Sequence, residues 1–235
     1  MAPTATTALH IRDNSSVTAT LERRLLIWIA EQLPRSVNSD HLSAVGLGAM
    51  GCAGLAFAAF RFTPWAAAAV VVSLAANWFG DSLDGTVARV RQQQRPRYGF
   101  YVDHIIDLAG TTMLVGGLAW SGLMTPLVAL TVLVGFLLVS SETYLATHTA
   151  GVFRMSFLGF GPTELRLLLI VGALRAAHSP FVEPFGVGPF RLFDVGGVVA
   201  AIALGLTFVT SSVRNTRALY LAEPMPAPTA KQRAA

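Results

Sequence analysis

Apolar residues run through this chain in long blocks, without the two-residue alternation of a half-buried sheet, and short polar or proline-bearing breaks separate the blocks. Six blocks approach or exceed the roughly 20 residues that a membrane-crossing helix needs. They are residues 41–60, 64–90, 98–121, 125–149, 162–176 and 195–212. A further helix, 18–33, is too short and too charged to span. Its Leu21, Leu25, Trp28, Ile29 and Leu33 fall on one side, and Glu22, Arg23, Glu31 and Gln32 on the other. That stripe suits a helix lying in the cytoplasmic interface. Gly46, Gly48, Gly51 and Gly54 of the first block offer small surfaces for close helix contact. Residues 1–17 lack the basic and apolar regions of a signal peptide and are expected to form a disordered tail. Residues 215–235, ending rich in Pro and Ala, are expected to be a flexible tail. The predicted fold class is all-α: a polytopic membrane helix bundle with six transmembrane helices plus an N-terminal interfacial amphipathic helix, forming one membrane domain over 18–214 with no internal repeat.

Composition agrees with a bilayer as solvent. With 53% hydrophobic and 13% charged residues and a mean hydropathy of +0.56, the chain is too apolar for an ordinary soluble domain. Its one cysteine, Cys52, excludes a disulfide framework and reads as an inert buried thiol. A net charge of +4 and a pI near 9.8 would alone admit a nucleic-acid partner. The basic residues, however, sit in short loops and at block ends, which suits an anionic membrane face and anionic substrates and argues for no nucleic acid. Arg12, Arg23, Arg24 and Arg35 precede the first block, and Arg89, Arg91, Arg95 and Arg97 crowd the second connection. Arg154 and Arg166 flank the fourth connection, and Arg214, Arg217, Lys231 and Arg233 follow the last block. Only Arg61, Arg175 and Arg191 fall on the other side, so the positive-inside rule places both termini in the cytoplasm. All but Lys231 of the 17 basic residues are Arg, which with the Ala richness points to a GC-rich bacterial genome and hence to an inner cell membrane.

The candidate chemistry lies between Gly80 and Gly110, where Asp81, Asp84, Asp103 and Asp107 interrupt the apolar pattern. Residues three or four apart share a helix face, so Asp81 pairs with Asp84 and Asp103 with Asp107 across a short basic loop. Four carboxylates in a partly desolvated pocket cannot all ionise unless positive charge sits among them. Mg²⁺ or Mn²⁺, hard cations with a preference for oxygen ligands, would resolve that conflict. Two such ions about 3.5–4 Å apart can clamp a pyrophosphate, stabilise a leaving phosphate and acidify a hydroxyl. That is phosphoryl chemistry. The same carboxylates also admit a buried polar network paired with nearby arginines, or a divalent-cation transporter. Transport expects acidic groups near the bilayer midplane with access from both sides. Here they cluster at cytoplasmic helix ends beside four arginines.

The order Asp81-x2-Asp84-Gly85-x2-Ala88-Arg89-x9-Gly99-x3-Asp103-x3-Asp107 resembles the signature of the CDP-alcohol phosphotransferases (CDP-alcohol phosphatidyltransferases), integral membrane enzymes of phospholipid biosynthesis. All its fixed positions are filled. The resemblance implies transfer of a phosphatidyl group from CDP-diacylglycerol, or a related CDP-lipid, to a small polar alcohol with release of CMP. It further implies metal ligation by Asp81, Asp84, Asp103 and Asp107, with Asp107 as general base. Gly85, Ala88, Arg89 and Gly99 would border the nucleotide, and the enzyme would be a homodimer. The alternative within the class takes a CDP-linked head group, such as CDP-choline or CDP-ethanolamine, and diacylglycerol; Gly161 to Glu164 faintly resemble that branch. Outside the signature, Arg154 and Arg166, whose forks match phosphate oxygens, and Glu164 are candidates for binding the acceptor. His104, next to Asp103, is read as a packing residue.

Overall fold

The computed structural model describes residues 17–150, 161–223 and 225. Among these, seven α-helices carry the fold: α1 (Val17–Gln32), α2 (Ser39–Ala59), α3 (Ala66–Val90), α4 (Pro96–Trp120), α5 (Pro126–Ala150), α6 (Pro162–His178) and α7 (Leu192–Ala222). Between α6 and α7, where the hydrophobic pattern predicts no element, a two-residue ladder joins β1 (Phe181–Val182) to β2 (Phe190–Arg191), with Phe181 opposite Arg191.

The helix starts follow from local chemistry. Asn38 Oδ1 accepts the His41 N–H at 2.9 Å and so caps α2. Proline opens α4, α5 and α6, where the missing N–H would have no intrahelical partner in any case. The N-terminus of α5 is held from another helix: Asp194 of α7 accepts the Thr125 N–H at 2.5 Å and its hydroxyl at 2.7 Å.

In lipid, apolar burial separates helices from one another only weakly, so close backbone contact decides the packing. α2 packs against both α3 and α4, and glycines set both contacts. A Cβ on Gly80 would lie 2.7 Å from the Leu42 carbonyl oxygen and 2.7 Å from the Gly46 nitrogen, so α2 and α3 meet nearly backbone to backbone. At the other end of α2, a Cβ on Gly117 would overlap the Gly54 carbonyl. Of the four glycines read as contact surfaces, Gly46 and Gly54 serve that role most closely, whereas Gly48 faces open space. Around these contacts, Ala53, Phe57, Val70, Leu74, Leu114 and Leu118 form the main core. α5 packs chiefly on α7, and α6 on α3.

α1 lies against the C-terminal half of α3, with part of its apolar stripe turned outward. Leu26 and Ala30 are buried with Leu42, Leu83 and Val87, whereas Leu25 and Trp28 are exposed. The run Leu25 to Ala30 is apolar all round, so one side can meet α3 while the other meets lipid. Arg91 fastens this arrangement from the end of α3: its guanidinium donates to the carbonyls of Leu33 (2.9 Å), Pro34 (3.1 Å) and Val37. Arg95 pairs with Asp40, which raises the guanidinium pKa above its ordinary value, and stacks 4.0 Å over the Tyr98 ring.

Among the described residues, four helices are long and apolar enough to cross a membrane: α2, α3, α5 and α7. α4 and α6 do not meet that measure. α4 carries Arg97, Asp103 and Asp107 in its first half, and α6 has only 17 residues, about 26 Å at 1.5 Å each. α7 runs on to Ala222, past the position at which the sequence pattern ends the membrane domain; nothing between Ser211 and Glu223 breaks a helix, and Asn215 is tied to Glu142 of α5 at 2.6 Å. At the end of the bundle away from Asp84, Phe62, Trp65 and Trp120 are exposed, with Arg61 5.3 Å over the Trp120 ring, the composition of an interfacial aromatic belt.

Candidate active site

The site forms where the last turns of α3, the first turns of α4, the start of α2 and the start of α6 converge. Asp81 and Asp84 stand three apart on α3, and Asp103 and Asp107 four apart on α4. The pairs face each other: Asp107 interacts electrostatically with Asp103, Asp81 and Asp84, and Asp84 with Asp81 and Asp103. The close glycine contact makes this possible, because with Gly80 against Leu42 and Gly46 the next turn of α3 reaches the polar start of α2. There the Ser43 hydroxyl donates to Asp84 Oδ2 at 2.7 Å. Asp84 Oδ1 accepts the Gly85 N–H at 2.5 Å.

Asp81 is held differently. Arg166 of α6 donates from Nη2 to Asp81 Oδ2 at 2.5 Å and from Nε to Asn77 Oδ1 at 2.7 Å. Asn77, buried one turn before Asp81, donates in turn to the Gly46 carbonyl at 2.9 Å. One asparagine thereby joins α2, α3 and α6 beneath the carboxylates. Arg166 also acts electrostatically on Asp107.

The remaining predicted site residues fall as follows. Gly85 leaves room for the Arg89 side chain, since a Cβ there would stand 3.4 Å from Arg89 Nη1, and Arg89 donates to Thr86 at 3.1 Å. Ala88 lies on the same helix one turn beyond Asp84. Gly99 is exposed in the first turn of α4 with open space where a side chain would go. Glu164 turns back to accept the Gly161 N–H at 2.9 Å, capping α6. Arg154 lies outside the described residues. His104 is buried, its ring 4.0 Å from Phe100 and edge-on to Tyr144 at 4.8 Å.

Three residues of this site escape the motif. Asn77 has a sequence signal, a lone amide in an apolar helix four residues before Asp81. Ser43 has none, being 41 positions from its partner. Nor does Tyr144 of α5, which interacts electrostatically with Asp107 and Asp103.

Among the described residues, no three His, Cys, Asp or Glu side chains form a ready-made metal-holding group. The donors nevertheless fit a hard divalent cation, because the four facing groups are all carboxylates, the oxygen ligands such an ion prefers.

A sequence model of the CDP-alcohol phosphatidyltransferases matches residues 44–209. The chain belongs to that family. It is thus a transferase of substituted phosphate groups, which sets aside the transporter reading of its intramembrane carboxylates. The crystal structure of the phosphatidylinositol phosphate synthase of Mycobacterium tuberculosis with CDP-DAG bound superposes on this CDP-alcohol phosphatidyltransferase with a TM-score of 0.60 and 21% identity. The match covers 87% of this chain and 100% of that one, so the two share a fold. Comparison with curated proteins returns no match.

Proposed function

We propose that this enzyme transfers a phosphatidyl group from CDP-diacylglycerol, or a related CDP-lipid, to a small polar alcohol and releases CMP. The observation that carries the reading is the meeting of Asp81 and Asp84 with Asp103 and Asp107 at one end of two apolar helices, beside Arg166. The CDP-DAG bound to the fold neighbour supports the choice of donor. The domain spans 18–214, with six crossings counting α4 and α6, α1 in the interface, and the enzyme working as a homodimer in a bacterial inner membrane. The Arg-rich connections and both termini are cytoplasmic.

Two divalent cations, Mg²⁺ or Mn²⁺, would be held by Asp81, Asp84, Asp103 and Asp107 and would supply positive charge to the CDP pyrophosphate and the developing CMP phosphate. Gly85, Ala88 and Gly99 keep bulk away from the nucleotide, and Arg89 lies at its edge. The acceptor enters on the α6 side, bordered by Arg166, with Arg154 a further candidate ligand from the sequence; Glu164 contributes there by setting the start of α6. Asp107 accepts the proton of the acceptor hydroxyl as its oxygen bonds to the lipid-bearing phosphorus. The bond from that phosphorus to the CMP oxygen breaks, and CMP leaves with the electron pair. A carboxylate is too weak a base for a free alcohol, so the positive field around the alkoxide and the fixed geometry supply most of the rate.

Membrane vesicles test donor, acceptor and orientation together. In inverted vesicles loaded with CDP-diacylglycerol, at least one soluble alcohol from a panel with and without phosphate (glycerol 3-phosphate, inositol phosphate, inositol, serine, choline, ethanolamine) is expected to drive CMP release. Right-side-out vesicles should release none until permeabilised. CMP release only from CDP-choline or CDP-ethanolamine with diacylglycerol would replace this reading by the alternative head-group chemistry.

A further inference from the structure

Arg166 uses one edge of its guanidinium twice, on two different partners. The Nε and Nη2 protons of arginine point the same way and form the fork that ordinarily takes both oxygens of one carboxylate. Here Nη2 takes Asp81 Oδ2 and Nε takes Asn77 Oδ1. Among the described residues no hydrogen bond falls on Asp81 Oδ1. The amide of Asn77 cannot turn round to undo this. Its Nδ2 faces the Gly46 carbonyl, which only accepts, and its Oδ1 faces Arg166, which only donates.

We infer that Asn77 is a positioning residue that splits the Arg166 fork and so keeps one oxygen of Asp81 open toward the site. The inference rests on the proposed role of Asp81 as a metal ligand. Without an oxygen in front of Nε, the fork closes on both oxygens of Asp81 and masks that carboxylate. Asn77 touches neither donor nor acceptor; it acts through Arg166. The burial of Asn77 and its anchor on Gly46, at the tightest part of the α2–α3 contact, give it the rigidity this task needs.

The test is Mn²⁺ binding to detergent-purified protein without substrates, read from the electron paramagnetic resonance signal of free Mn²⁺. Asn77→Ala is expected to weaken binding about tenfold, the scale of one charge-assisted hydrogen bond gained by the competing arginine. In an Arg166→Ala background, Asn77→Ala should change nothing further, since the two act as a unit. Asn77→Ser, too short to reach Nε, is measured alongside and should behave like Asn77→Ala, so the result does not depend on one variant's folding. Wild-type affinity in both Asn77→Ala and Asn77→Ser would overturn the inference, as would an undiminished effect in the Arg166→Ala background. A wild-type protein that binds no Mn²⁺ at all would overturn the metal reading itself, a different failure.

Discussion

The Asp84→Asn variant is expected to release CMP about 10³-fold more slowly than wild type, the loss typical of removing one group that meets developing charge in a water-poor site. The surroundings of Asp84 make this a loss of chemistry rather than of structure. The Gly85 N–H donates to one oxygen of its carboxylate and the Ser43 hydroxyl to the other; the amide oxygen of the variant can keep the first, and its nitrogen can donate to the hydroxyl oxygen of Ser43. Removing the charge also lowers repulsion among the four carboxylates in the metal-free protein. The variant should therefore elute from size exclusion like wild type and melt at the same temperature or higher. CMP release within tenfold of wild type would remove Asp84 from the catalytic site.

The second large effect is on the fold. Gly117→Ala and Gly80→Ala each place a methyl group where another helix's backbone already lies: the Gly54 carbonyl in the first case, and the Leu42 carbonyl and Gly46 nitrogen in the second. Backbone cannot rotate aside as a side chain can, so the helices must part. Overpacking of this kind costs about 1–3 kcal/mol or more, and both variants are expected to melt several degrees lower in detergent. Gly116→Ala and Gly48→Ala, at positions with open space, serve as matched controls and should melt like wild type. Gly80→Ala should also lose activity, because parting α2 from α3 carries Asp84 away from Ser43. Equal melting of all four variants would mean that these helices do not meet through their glycines.

The two aspartate pairs were legible because their spacing is a property of the helix itself, and the signature adds order and glycine positions that chance does not supply. What joins them to the rest was not. Arg166 reads in the sequence as a positive-inside residue or an acceptor ligand; its tie to Asp81 and Asn77 depends on α6 packing against α3, a contact across 85 positions that no local pattern encodes. Arg91 likewise reads as one more loop arginine, yet its guanidinium donates to three carbonyls between α1 and α2. The face that α1 turns to α3 is not legible either, because in lipid an apolar stripe does not say whether protein or acyl chain covers it. The same ambiguity separates the six predicted crossings from the four helices whose composition alone suffices: charges at the start of α4 belong to the site, and hydropathy discounts them.

The central claim, that the four carboxylates work with divalent cations on a CDP-lipid, is tested most directly by one titration. Purified enzyme is stripped with EDTA, given CDP-diacylglycerol and the best alcohol from the vesicle panel, and followed for CMP as Mn²⁺ or Mg²⁺ is returned. The account predicts no CMP release in EDTA and recovery that saturates with added metal in the wild type but not in Asp84→Asn. Undiminished CMP release in EDTA would contradict it.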